Sequence, residues 1–143
     1  LGDFNEASHL DWTASMAKLY DHNGVAIEWG NSKSLANAGF IDSWRKLYPD
    51  PVTHPGHTWP SSAFEKGSTQ WAHKADERDR IDFIYYRNDG NVSPRQARIV
   101  GGSNQYYAYS ALTTDNTKTP FALDGMPWPS DHKAVLVDFY FQK

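Results

Sequence analysis

The run Ile81-Asp82-Phe83-Ile84-Tyr85-Tyr86 sets a carboxylate inside a compact apolar stretch, and that carboxylate needs a partner. Apolar residues occupy both alternating sets of the run, so it reads as a strand covered on both faces and ended by Asn88-Asp89-Gly90. Ala97 to Val100 and Ala134 to Phe141 read in the same way. An ionised aspartate in such a strand is costly unless it accepts hydrogen bonds or faces a cation. Backbone amides are one way to satisfy Asp82. The other natural partner is His132, in Ser130-Asp131-His132, which follows Pro127-Trp128-Pro129 and leads into the last strand. A carboxylate bonded to one ring nitrogen fixes the imidazole tautomer and leaves the second nitrogen free for proton transfer or for an anionic oxygen.

Helical spacing is confined to the first third of the chain. Trp12, Met16, Leu19 and Tyr20 predict a helix over 11–20 with Asp11 as its N-cap, ended by Asp21-His22-Asn23-Gly24. A second helix is expected from Ser32 to Ala38, stopping at Gly39, and a third from Asp42 to Tyr48, capped by Asp42 and terminated by Pro49. Residues 49–79 carry four prolines and little periodicity, apart from a short strand at His57-Thr58-Trp59, and 101–130 form a second polar connection. Short helices early and two-sided strands later indicate an α/β (α+β) layered domain. Leu1-Gly2-Asp3-Phe4-Asn5 has the polar character of a strand end with no strand before it, so a segment upstream is expected.

With 143 residues, 39% hydrophobic and 15% aromatic, the composition is that of one packed domain spanning 1–143. The formal charge of −3 and pI near 6.0 lack the basic excess that broad nucleic-acid binding needs. Without cysteine, disulfides, thiolate metal sites and a cysteine nucleophile are excluded. No apolar run approaches the length of a membrane span and the first residues lack a signal-peptide pattern, so a soluble chain is expected.

Other candidates carry less chemistry. Asp3 and Asn5 are two apart, so both can project toward one site and hold a water or a metal beside an anionic oxygen; an Asx turn is the alternative use of the same residues. His54 and His57 are three apart, but Pro55 and Gly56 between them deny a helical face and no third ligand is evident, which favours a polar loop. Trp12, Trp44, Trp71 and Trp128 read as packing, with Trp59 the one tryptophan kept as a candidate substrate contact.

In order along the chain, Gly2-Asp3-Phe4-Asn5, Gly39-Phe40-Ile41-Asp42-Ser43-Trp44-Arg45, His57-Thr58-Trp59, Arg80-Ile81-Asp82-Phe83-Ile84-Tyr85 and Ser130-Asp131-His132 resemble the endonuclease/exonuclease/phosphatase superfamily. Exonuclease III-type nucleases, DNase I, neutral sphingomyelinases and inositol polyphosphate 5-phosphatases belong to it. The resemblance implies a four-layered α/β sandwich of the DNase I-like type, of which this chain supplies roughly the C-terminal half. It also implies metal-dependent phosphoester hydrolysis by in-line attack of water, with Mg²⁺, or else Mn²⁺ or Ca²⁺, as the cofactor. On that resemblance Asp3 orients or deprotonates the attacking water, and Asn5 hydrogen-bonds the phosphate. Asp82 orients His132, which contacts the phosphate or transfers a proton, and Asp131 lies at the metal. The superfamily's N-terminal half, with its metal-binding glutamate, has no counterpart here, so that half is the expected partner and the chain alone is expected to bind metal poorly. Ser8-His9-Leu10-Asp11-Trp12 looks like an extension found in a bacterial branch often predicted to be secreted, which brings His9 forward as a further substrate contact or as a helix-entry residue. The substrate class stays open among lipid, small-molecule and nucleic-acid phosphoesters, with the acidic pI tilting away from a DNA-repair nuclease. A non-catalytic binding module that retains the scaffold is the rival reading.

Overall fold

The apolar run 81–86, expected as one strand, divides into two short strands paired in different sheets, whereas the other two runs each lie within one strand. The second helix packs on the largest sheet and the first on the strand that follows it. The computed structural model describes residues 1–63, 75–123 and 125–142; Trp71 lies outside them. In chain order the elements are β1 (Gly2–Asp3), α1 (Gly30–Asn37), β2 (Phe40–Asp42), α2 (Ser43–Leu47), β3 (Asp82–Phe83), β4 (Tyr85–Arg87), β5 (Val92–Gly101), β6 (Gln105–Ala108), β7 (Ala111–Thr114), β8 (Phe121–Leu123) and β9 (Ala134–Phe141). The architecture is mixed α/β, mostly strands with few helices. The strands form three two-stranded pairings, β1-β3, β2-β4 and β6-β7, and a three-stranded sheet in the order β8-β5-β9. There β5 runs antiparallel to β9 and parallel to β8.

The core forms where α2 meets β5. Trp44 is buried against Ala97 and Ile99, with Leu47, Tyr48, Phe121, Val135 and Val137 packed around them. Ala97 and Ile99 are two apart and therefore share one face of β5. α2 is short but well begun, because the Asp42 carboxylate accepts from the backbone amides of Trp44 (2.9 Å) and Arg45 (3.3 Å). Gly56 has φ of +68°, and a Cβ there would lie 2.3 Å from the Trp44 ring, so both the backbone and the packing require glycine.

Four buried charged residues lock the first third of the chain to the strands. Arg80 donates through Nε to Asp11 (2.9 Å) and through Nη2 to Asp42 (2.6 Å), and Arg45 Nε donates to Asp11 (2.6 Å). Arg45 also donates to the carbonyls of Tyr48, His54 and Pro55. Burial by itself would raise the Asp11 carboxyl, but Arg45 and Arg80 outweigh it and hold the group below the usual carboxylate range.

Three further expectations are corrected. Residues 11–20 form successive turns rather than a helix: amides at Met16 and Leu19 donate to carbonyls three residues back, and Tyr20 has positive φ. Asp11 is no cap, because its carboxylate is turned inward onto two guanidinium groups, and the Trp12 indole is tied to Asp79 at 2.9 Å. The connection over 101–130 contains β6, β7 and β8. Nor is the last strand covered on both faces: Val135 and Val137 pack toward Trp44 on one, while Leu136 and Tyr140 on the other are exposed by 40% and 55%. α1 and α2, by contrast, fall close to their expected positions, with Gly39 at φ +83° ending the first.

Asp11→Asn should cost about 3–5 kcal/mol at neutral pH, because it leaves two buried guanidinium groups facing a single carboxylate. Since the folded carboxyl titrates below its unfolded value, the contribution is present above that value and is lost as pH falls; wild type and variant should converge only below about pH 4. Urea unfolding across pH measures both. Gly56→Ala should lose about 3 kcal/mol in the same assay, from a left-handed alanine and a clash with Trp44.

Candidate functional site

Antiparallel pairing sets two carboxylates face to face. In the β1-β3 register Asp3 lies opposite Asp82. The Phe4 amide donates to the Ile81 carbonyl at 2.9 Å, which makes positions 4 and 81 a hydrogen-bonded pair. Positions 3 and 82 are then the non-hydrogen-bonded pair, the kind whose side chains stand closer together. Like charges opposed in this way repel, so the arrangement needs a positive neighbour. His132 supplies one when protonated: its Nδ1 lies 3.0 Å from Asp82 Oδ2. Ligand atoms of Asp3, Asp82 and His132 all fall within 4.8 Å of one another.

Local structure explains how residues so far apart in sequence meet. The Thr58 hydroxyl accepts from the amides of Ile81 (3.0 Å) and Asp82 (3.2 Å), while the Thr58 carbonyl accepts from the Lys133 amide. One fully buried threonine therefore holds both the strand that carries Asp82 and the residue after His132. The segment before β9 is fastened several times over. Ser61 donates through its hydroxyl to the Ser130 carbonyl and through its amide to that of Asp131. The Trp128 indole donates to the His132 carbonyl, and the His132 amide to the Ser130 hydroxyl. Lys133 is buried beneath, its Nζ donating to the Ser103 carbonyl and lying 4.7 Å from the Tyr106 ring centroid; burial pulls its ammonium down to about 8.

The remaining candidates divide. Asn5 is beside the group, with positive φ and its amide donating to Asp3 Oδ1 at 2.8 Å, so the Asx turn and the projection toward the site coexist. That bond leaves Asp3 one oxygen without this demand. Asp131 is exposed and its side chain is not a member of the group within 4.8 Å. His9 is held by α1, its Nδ1 lying 2.8 Å from the Ser32 hydroxyl. Trp59 forms an isolated bridge with Asp79. His54 stacks on Tyr48 and His57 is buried between Tyr20 and Tyr106, so the two imidazoles do not converge on an ion. Sequence reasoning missed Thr58, Ser61 and Lys133 as positioning residues. Only the first stood in a motif, and a hydroxyl's backbone partners leave no periodic trace.

No family model matches the chain. It is similar to an uncharacterized protein of Caenorhabditis elegans, 36% identical over 141 residues that cover 98% of this chain and 40% of that protein. The chain thus spans about two fifths of the length of the curated relative it matches. Among the described residues no helix is long and apolar enough to cross a membrane.

Thr58→Val keeps the shape but strips the acceptor from two backbone amides, and should cost roughly 2–3 kcal/mol. Hydrogen exchange at Ile81 and Asp82 should accelerate in the valine variant, whereas Thr58→Ser should restore protection. Unchanged exchange at both amides would show that the hydroxyl does not hold the strand.

Proposed function

We propose that this chain forms part of a metal-dependent phosphoester hydrolase of the endonuclease/exonuclease/phosphatase type, supplying roughly the C-terminal half of a four-layered α/β sandwich. The observation that carries this reading is the convergence of Asp3, Asp82 and His132 on one point. The exposed Leu136 and Tyr140, which share one face of β9, support it further, as a sheet face suited to another layer. In this reading Asp3 orients the attacking water and Asn5 hydrogen-bonds the phosphate. Asp82 accepts from His132 Nδ1 and fixes the tautomer, so that Nε2 faces the phosphate or transfers a proton.

The donor set fits a hard cation in kind but not in number. Asp3 and Asp82 offer carboxylate oxygens, the ligands that Mg²⁺ prefers, while His132 is turned onto Asp82. A bound cation would stabilise charge on the transferring phosphoryl oxygens. Further ligands would come from the expected N-terminal partner, with Asp131 a candidate at the periphery. This short donor set is what favours the second reading, a binding module without turnover, for the chain in isolation.

Hydrolysis of bis-p-nitrophenyl phosphate with Mg²⁺ tests the proposal on the longer polypeptide that contains this sequence. His132→Ala should lower the rate by about 10²–10⁴-fold, the usual worth of a positioned acid or base. Equal rates would remove His132 from the chemistry, and no turnover by the wild type with any phosphoester would favour the binding module. The 143-residue chain should show no saturable Mg²⁺ binding by calorimetry at concentrations that saturate the longer form.

A further inference from the structure

A cavity of about 10 Å³ has Asp11, His22, Arg45, His57, Asp79 and Arg80 in its walls and none of Asp3, Asp82 and His132. Three of these side chains carry a buried polar atom with no protein partner among the described residues: His22 Nδ1, His57 Nδ1 and Arg80 Nη1. Their residues are exposed by only 2%, 3% and 2%. Orphaned groups are rare at such depth, and three around one small space point to a shared ligand.

Size and charge select its chemistry. About 10 Å³ accommodates the centre of a single water and excludes phosphate or carboxylate. The charges of Arg45 and Arg80 are already answered by Asp11 and Asp42, so the space calls for no anion, and two guanidinium groups in the neighbourhood repel a cation. Burial pushes Asp79 well above the usual carboxylate range and holds both imidazoles below theirs, which keeps these three groups toward their neutral forms. The donor and the two acceptors are complementary. A guanidinium N–H can only donate, and a neutral imidazole with its proton on Nε2 accepts at Nδ1.

We propose that this cavity is a permanent binding site for one water molecule, which accepts from Arg80 Nη1 and donates to His57 Nδ1 and His22 Nδ1. The water ties the turn carrying His22 to the segment carrying His57 and to the residue that leads into β3. His57 has little freedom to turn away, since its ring packs edge-on against Tyr20 and Tyr106 at centroid distances of 4.5 Å and 5.9 Å. Because His57 precedes Thr58, the water supports the residue that holds Asp82 in place. The proposal does not depend on phosphoester chemistry.

A crystal structure of the chain at a resolution that shows ordered solvent, from crystals soaked in bromide, is the first test. The expected result is one water peak within hydrogen-bond distance of Arg80 Nη1 and of the two Nδ1 atoms, with no anomalous signal. A dry cavity with ordered walls, an anomalous bromide peak, or Arg80 Nη1 turned onto a protein acceptor would each overturn the proposal. Water-oxygen magnetic relaxation dispersion gives an independent reading in solution. Wild type should show one more long-lived water than His57→Phe, whose ring keeps the packing but removes the nitrogen, and equal amplitudes would refute the site. Should the variant fail to fold, the crystal result decides alone.

Discussion

The double ion pair of Asp11 and Asp42 with Arg45 and Arg80 decides which segments of this chain can meet. Arg80 is the bridge, with both carboxylates on its guanidinium and the Phe83 ring beneath it at 4.6 Å. Such a cluster need not stabilise the fold more than an apolar core of equal volume would. Its leverage lies elsewhere: any arrangement that separates one member strands a charge out of water. Four segments are tied by it, namely the turns after Ser8, the β2–α2 junction, the loop whose carbonyls receive Arg45, and the strand that begins two residues after Arg80.

From this cluster the order passes to the site through short covalent steps. Arg80 is followed within two residues by Asp82, and Arg45 clamps His54 and Pro55 just before Gly56, His57 and Thr58. Thr58 then binds back to Ile81 and Asp82, so the loop and the strand fix each other. Trp44 closes the same unit from the other side, pressed onto Gly56 and bonded through its indole to the His54 carbonyl. The three side chains that converge are therefore held by backbone whose positions are determined elsewhere, which is the condition for a preorganised site.

What could be read from sequence was whatever repeats locally. Asp42 before Ser43-Trp44-Arg45 is a cap by pattern and a cap in fact, and the proximity of Asp82 and His132 followed from the cost of a carboxylate in an apolar strand. Asp11 has the same local look as Asp42. Its fate was set by Arg45 and Arg80, 34 and 69 residues away, which no window of sequence contains. The β6-β7 hairpin was hidden for another reason. Its two-residue turn is Tyr109-Ser110, both at positive φ, where glycine or asparagine would have announced a turn. The pairing of Gln105–Ala108 with Ala111–Thr114 imposes that conformation on residues that do not favour it.

The site's charge is where the sequence and the structure constrain function most tightly. Asp3 and Asp82 oppose one another across a strand pair, and a protonated His132 can cancel only one of their charges. A phosphoester approaching this group carries negative charge of its own, so the three side chains by themselves repel the substrate that the proposed reading assigns to them. That reading consequently requires positive charge from outside this chain's own donors. The binding-module alternative inherits the same constraint: left unassisted, this surface suits a cation or a hydrogen-bond donor better than an anion. The identity of whatever neutralises the Asp3–Asp82 pair is thus the quantity that separates a hydrolase from a scaffold.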